Sequence, residues 1–338
     1  MKPSNDEKIL LAHGSGGRLS HDLVEKGFLP AFHNPLLSKL DDSAIFEAKG
    51  RLAFTTDSYI VTPIFFPGGD IGKLAVCGTV NDLAMSGAVP LYLSVSFIIE
   101  EGFAMSQLKQ IVTSIRQAAD EAGVKVVTGD TKVVNRGSVD KLFINTAGIG
   151  LVPDGVDISG SNARVGDRVI LSGPIGDHGI AVMSKREGLK FASPVKSDCA
   201  SLNRLVAEML EASKEIHCLR DPTRGGLAST LNEFAVQSKV GILIHENSIP
   251  VRDEVRAACE MLGFDPLYVA NEGRLVAVVG PNDAQRVVRR MRQNKYGTEA
   301  AIIGEIRQEH PGRVVMRTRL GASRVVDMLS GELLPRIC

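Results

Sequence analysis

Asp41, Asp42, Asp57, Asp82, Asp130 and Asp221 each stand near a glycine or at the end of an apolar run. Oxygen donors of this kind suit hard divalent cations, and with few His or Cys available the expected ion is Mg²⁺ rather than zinc. The segment His13-Gly14-Ser15-Gly16-Gly17 has three glycines in four positions. Gly16 and Gly17 can let successive amides converge on phosphate oxygens, or can simply form a flexible loop. No Gly-Lys-Ser/Thr follows, so this is not a Walker loop. Carboxylates combined with glycine-rich loops point to a nucleoside triphosphate held through its metal ions.

Three further groups could move protons or carry a covalent adduct. Glu272 lies in the turn Asn271-Glu272-Gly273-Arg274 before a strand, where it can project into a cleft. Asp130 and Lys132 follow an apolar run two residues apart, which puts them on one face of an extended segment; a surface ion pair would account for them as well. The sequence ends in Pro335-Arg336-Ile337-Cys338. Chain ends fray unless tied down, so a thiol there is either an unremarkable end or a group available for chemistry. Arg336 favours its thiolate and the terminal carboxylate opposes it.

The elements that must position these groups follow from periodicity. Residues 52–58 form a strand-like run ending near Asp57, where the carboxylate is either a turn former or a cation ligand. Residues 70–87 form a helix whose Asn81-Asp82 pair sits inside an apolar pattern, and a buried Asp is costly unless paired or metal-bound. Strands at 91–99, 124–128 and 141–152 and a helix at 105–122 complete an α/β first half. Residues 153–166 are rich in Gly, Ser, Asp and Asn and form a domain boundary. The second half alternates similarly: strands at 168–172, 241–245, 275–279 and 300–306, helices at 176–186, 197–212, 250–261 and 282–294. Asp221-Pro222-Thr223-Arg224-Gly225-Gly226 opens a further helix, with Asp221 as its cap and Thr223 in an anion-attracting first turn. The expected division is residues 1–155, 156–318, and a mobile tail at 319–338 whose flexible span would be about 25 Å.

The 338 residues exceed one ordinary core, and 44% are hydrophobic, enough for two. Lys and Arg number 39 against 39 acids, without a basic run, so nucleic acid is not an expected partner. The polar start and the lack of a long uncharged stretch predict a cytoplasmic protein that does not enter a membrane. Five scattered cysteines without Cys-x-x-Cys spacing argue against a disulfide frame, and Cys77 and Cys259 read as small core residues.

Taken together, His13-Gly-Ser-Gly-Gly17, Asp41-Asp-Ser-Ala44, Thr55-Thr-Asp-Ser58, Asn81 to Ala88, Gly129-Asp-Thr-Lys132 and Asp221-Pro-Thr-Arg-Gly-Gly226 resemble the ATP-dependent superfamily of aminoimidazole ribonucleotide synthetase, selenophosphate synthetase and thiamine-monophosphate kinase. The ending Pro335-Arg-Ile-Cys338 resembles its branch of hydrogenase-maturation carbamoyl dehydratases. The likeness runs from about residue 8 to 338. Residues 11–18 hold neither the Cys nor the Lys that selenophosphate synthetases carry there, which counts against selenium chemistry.

The resemblance implies a two-domain PurM-like α/β (α+β) fold, dimerising through a β-barrel of the N-terminal domains, with a flexible tail. It implies that Cys338 receives a carbamoyl group from a carbamoyltransferase, HypF, and that ATP drives dehydration of the thiocarboxamide to a thiocyanate. The cyanide then passes to iron on a HypC–HypD complex, for NiFe hydrogenase. It assigns Asp42, Asp57, Asp82 and Asp221 to Mg²⁺ and phosphate, with Asp41 and Asp130 beside them, and Glu272 and Lys132 to proton handling. Two other readings use the same acids: a small-molecule kinase, which does not need Cys338, and a nucleotide-gated thiol carrier without catalysis.

Overall fold

The structure is a computed structural model and describes residues 7–15, 17–39, 43–189, 195–329, 331 and 336–338. Gly16, Asp41, Asp42 and Pro335 therefore lie outside the described residues. The first half begins with the short helices α1 (Arg18–Leu23) and α2 (Leu29–Phe32). Strands β1 (Arg51–Tyr59), β2 (Phe65–Phe66) and β3 (Gly69–Asp70) lead into α3 (Ile71–Met85). The strands β4 (Val89–Glu100), β5 (Lys125–Val134) and β6 (Leu142–Val152) follow, with α4 (Met105–Ala122) between the first two. The main sheet runs β1-β6-β4-β5, with β4 and β5 parallel through the α4 crossover and the other pairs antiparallel.

The helix expected at 105–122 is found at those bounds, because its apolar face is regular and Gly123, at φ 77°, stops it in the left-handed region. Asp70 caps α3 by accepting from Gly72 N and Lys73 N at 2.8 and 3.0 Å. The strand expected to end at 128 instead continues to Val134. Gly129 does not end it: a Cβ there would stand 2.3 Å from the Val95 carbonyl oxygen, so this glycine lets the paired strands approach. Asp130 and Lys132 are thus within a strand.

The second half contains β7 (Arg168–Leu171), α5 (Asp177–Arg186), α6 (Asn203–Ala212), β8 (Ile216–Arg220), α7 (Gly226–Ser238), β9 (Gly241–His245), α8 (Asp253–Leu262), β10 (Val276–Val279), α9 (Ala284–Met291), β11 (Ala301–Arg307), β12 (Val314–Arg317) and β13 (Ser323–Val326). Its seven-stranded sheet runs β13-β12-β9-β11-β7-β10-β8. Residues 197–200, expected to be helical, carry no helix; they form the extended cradle described below. Nor is residue 319 the start of a free arm, since β13 pairs with β12 and buries Val326.

One apolar core joins both halves. Leu74 and Val76 of α3 share it with Ile180 and Val182 of α5, with Val255 and Ala258 of α8, and with Ile337. Helices α3 and α4 cover one face of the four-stranded sheet. The other face exposes Leu52, Phe54 and Ile98, in register with half-buried Leu151, Ile149 and Phe143 of β6.

Candidate functional site

The elements converge on one cleft between the two halves. Asp57 projects from β1 two residues before its end and accepts from Ser58 N at 2.9 Å. Asp82, near the end of α3, accepts from the Thr55 hydroxyl at 2.8 Å. Asp221 lies one residue beyond β8. It is not the helix cap expected of it, because α7 starts only at Gly226, after Gly225 and Gly226 at φ 78° and 60°. Those glycines are required: a Cβ on Gly226 would meet the Leu267 carbonyl oxygen at 2.5 Å. Thr223 supports the turn, donating its N–H to the Asp221 carbonyl at 3.0 Å.

Neighbouring acids raise two of these carboxylates. Burial, then the Asp82 charge, push the Asp221 carboxyl up to about 7. Burial also raises Asp82, with Asp57 adding to it and the Thr55 hydrogen bond opposing. Glu272 is 2% exposed, and its Oε1 has no hydrogen-bond partner. Burial raises its carboxyl well above the ordinary range, and Asp221, Asp198 and Asp57 raise it further. A set of acids so poorly compensated fits a cation. Among the described residues, no three acids, histidines or cysteines stand close enough to enclose a metal by themselves.

Glu272 is held by its backbone. Its N–H and that of Gly273 both reach the Asp198 carboxylate, at 3.2 Å each, and its carbonyl accepts from Ala200 N at 3.3 Å. Asn81, fully buried on α3, spans the two halves: Nδ2 donates to Ala200 O at 3.0 Å and Glu272 O at 3.4 Å, while Oδ1 accepts from Leu202 N at 2.8 Å. So one turn of α3 carries both the acid Asp82 and the residue that docks the Glu272 loop.

Cys338 faces this cleft. Burial raises its thiol strongly; Glu272 adds to the shift and Arg224 opposes it. The ending that brings it there is paired with residues 60–62: Ile60 N donates to Cys338 O at 3.3 Å and Thr62 N to Arg336 O at 3.1 Å. Ile337 is 3% exposed and gives its carbonyl to His178 Nε2 at 2.8 Å.

Lys132 is not brought to Glu272 by any hydrogen bond or ion pair among the described residues; it pairs with Asp130 at 3.4 Å, both largely exposed. These two line a different cavity, of about 330 Å³, with His13, Gly14 and Thr128. Gly17 is exposed at the start of α1. The expected residues therefore fall into two groups. Asp57, Asp82, Asp221, Glu272 and Cys338 lie within electrostatic reach of one another; Asp130, Lys132 and Gly14 lie at the other edge of the sheet. Sequence reasoning missed Asn81 as a docking residue, Asp198, Thr55 and His178. Of these, Asn81 left a signal as a polar residue inside an apolar helix, and Thr55 stood in the Thr55-Thr56-Asp57-Ser58 motif without its bond to Asp82 being foreseen.

Residues 40–152 match the family model described as AIR synthase related protein, N-terminal domain, and residues 164–317 match its C-terminal domain. The chain is 56% identical over 330 residues to carbamoyl dehydratase HypE of Bradyrhizobium diazoefficiens, covering 97% of this chain and 95% of that protein. A crystal structure of hydrogenase maturation protein HypE in complex with ATP is similar at TM-score 0.95 and 52% identity, over 97% of this chain and 99% of that one. A crystal structure of a HypE–HypF complex is similar at TM-score 0.81 and 50% identity, over 91% and 99%.

Proposed function

The chain belongs to the AIR synthase related family, in its branch of hydrogenase-maturation carbamoyl dehydratases, and from that membership we propose that it is the ATP-dependent enzyme that dehydrates a carbamoyl group carried on its own Cys338. The observation that carries this reading is the meeting of Cys338 with the buried, unpartnered Glu272 beside Asp57 and Asp221. The ATP and HypF complexes of close relatives support ATP as the substrate and a HypF-type carbamoyltransferase as the donor partner.

An amide oxygen is a poor leaving group. In the proposed reaction the carbamoyl oxygen of the Cys338 thiocarboxamide attacks the γ-phosphorus of ATP, releasing ADP, and one N–H proton is lost. The C–O bond then breaks with departure of phosphate, the second N–H proton leaves, and a thiocyanate remains. Bound Mg²⁺ would supply charge neutralisation at the phosphates. Asp57, Asp82 and Asp221, with Asp42 preceding them in the chain, would hold it, and the main-chain N–H of Thr223 stiffens the turn that presents Asp221. Glu272, kept protonatable by burial and held rigidly by Asp198, takes the first N–H proton, and the second leaves with the departing phosphate.

The docked thiol is a weak nucleophile, since burial disfavours its thiolate. Carbamoyl transfer therefore belongs to an undocked state and dehydration to the docked one. Tethering keeps the two sites within reach at an effective concentration of roughly millimolar. The cyanide would then pass to iron on a HypC–HypD complex.

A homodimer closing two four-stranded sheets into a barrel would cover Leu52, Phe54 and Ile98. Because β1 and β5 are opposite edges, a two-fold axis along such a barrel would bring Asp130 and Lys132 of one protomer to Asp57 of its partner. This reunites the two groups of expected nucleotide residues.

Intact mass tests the reading. Incubation with the carbamoyltransferase, carbamoyl phosphate and ATP, then with Mg²⁺ and ATP alone, should add about 43 Da at Cys338 and then leave about 25 Da, the difference being water. ATP turnover without any adduct on Cys338 would favour a small-molecule kinase.

A further inference from the structure

His178 is the second residue of the helix α5 and is fully buried, with Phe66 edge-on against its ring at 5.4 Å between centroids. Its two nitrogens have different partners: Nε2 meets the Ile337 carbonyl at 2.8 Å, and Nδ1 meets the Ser197 hydroxyl at 2.8 Å. A carbonyl oxygen only accepts, so Nε2 carries the hydrogen. In a neutral ring Nδ1 then accepts from Ser197 Oγ–H, and Ser197 Oγ in turn accepts from Cys199 N at 3.0 Å. Burial lowers the imidazole's proton affinity and keeps the ring neutral, and its two partners set the tautomer.

Ser197 belongs to the stretch that cradles Glu272. Its own N–H is fixed to Pro67 O at 2.8 Å, the adjacent Asp198 holds the amides of Glu272 and Gly273, and Ala200 N holds the Glu272 carbonyl. The grip on the chain ending and the grip on the base thus share one short segment. The ending is also held by main-chain bonds from Ile60 N and Thr62 N and by Arg186 Nη2 on the Arg336 carbonyl, while its ion pair is more exposed: Arg336 and Asp140 keep 34% and 40% of their side-chain surface in solvent.

We propose that His178 is the positioning residue that latches the Cys338-bearing ending into the site, with Ser197 setting its tautomer and coupling the latch to the segment that holds Glu272. The inference rests on the reading of Cys338 as the carrier, yet its geometry is tested without any activity. Iodoacetamide labelling of Cys338 in the full-length protein, followed by peptide mass, measures how often the ending leaves the site. Cys77, Cys199, Cys218 and Cys259 are buried and label separately if at all. Loss of one buried hydrogen bond should raise the Cys338 labelling rate about five- to tenfold in His178→Leu. His178→Gln, whose amide can still donate to the Ile337 carbonyl, should recover part of that change. Ser197→Ala should act in the same direction, less strongly, and serves where His178→Leu does not fold.

With the carbamoyltransferase and ATP present, the latch predicts opposite effects on two steps. His178→Leu should accept the carbamoyl group at least as fast as the parent and dehydrate it more slowly; a purely structural role would slow both. Equal labelling rates in the parent and all three folded variants would overturn the proposal. Faster labelling in a protein that never acquires a carbamoyl group would support the latch and remove the carrier reading.

Discussion

Arg336 Nη1 binds Asp140 Oδ2 at 2.9 Å, closing a contact between side chains 196 residues apart. Its Nε also donates to the Ile60 carbonyl at 3.0 Å, and its own carbonyl accepts from Arg186 Nη2 at 2.8 Å. The guanidinium charge is therefore directed to Asp140. The cation that tempers the docked Cys338 thiol is Arg224 instead. Arg336→Gln should loosen the ending by up to about fivefold, the scale of a partly exposed ion pair. Its effect on Cys338 labelling should stay below that of His178→Leu, and a larger one would mean that the exposed pair dominates.

Glu272→Gln keeps the shape of the side chain and its backbone contacts to Asp198 and Ala200 while removing the base. Single-turnover dehydration of the carbamoylated protein should fall by roughly two to four orders of magnitude. Carbamoyl uptake, which in the proposed reaction belongs to the undocked ending, should be little changed. Full dehydration by this variant would exclude Glu272 as the base.

Asp82, Asp221 and Glu272 all titrate higher in the fold than in the unfolded chain. Across the window between the two values the folded state binds more protons. Their contribution to stability is thus complete below about pH 4 and is lost as pH rises, through about 7 for Asp221. The melting temperature of the protein without nucleotide or Mg²⁺ should fall between about pH 5 and about pH 8, and Asp221→Asn should flatten the slope. The stabilisation added by Mg²⁺ and nucleotide should grow over the same range, because it needs the ionised acids. Equal stabilisation at both ends would separate these carboxylates from metal binding.

Asn81 satisfies three main-chain groups across the boundary between the halves. Asn81→Leu strands them in an apolar setting and should cost roughly 2 to 3 kcal/mol, read as a lower denaturant midpoint. Dehydration should suffer before unfolding does, since the Glu272 loop loses its dock. An unchanged midpoint would show that the boundary is held elsewhere.

The proposed barrel makes complementation possible. Lys132→Ala and Asp57→Asn homodimers should each be inactive, whereas randomly mixed subunits should regain about a quarter of the parent activity, because half the dimers are mixed and each has one intact site. Phe54→Asp should yield a monomer by sedimentation. Lack of regain in a mixture proved to contain mixed dimers would mean that Lys132 and Asp57 serve the same site from one chain.

What was legible in the sequence was what repeats or terminates locally. The 105–122 helix has a regular apolar face and a glycine stop, and Asp82 was conspicuous as a charge inside an apolar helix. The glycines misled in both directions. Gly129 looked like the end of a strand but is there for close strand approach, and Gly225 and Gly226 delay a helix that Asp221 seemed to cap. The rest depends on contacts made across the chain. Glu272 is set by Asp198 and Asn81, which lie 74 and 191 residues away. His178 meets Ile337 over 159 residues, and no local pattern distinguishes it from any other polar residue in a first helical turn.

The continuous core that joins α3 to α5 and α8 has a mechanical consequence. Parts of one close-packed body do not swing apart easily, so opening the cleft by a hinge between the halves is disfavoured. In the proposed cycle the piece that travels is then the ending itself, which would bring in the reacting group and bury Ile337 behind it. The cargo arrives with its own stopper, and the slow event in each cycle should be the departure of that stopper rather than the bond-breaking it shelters.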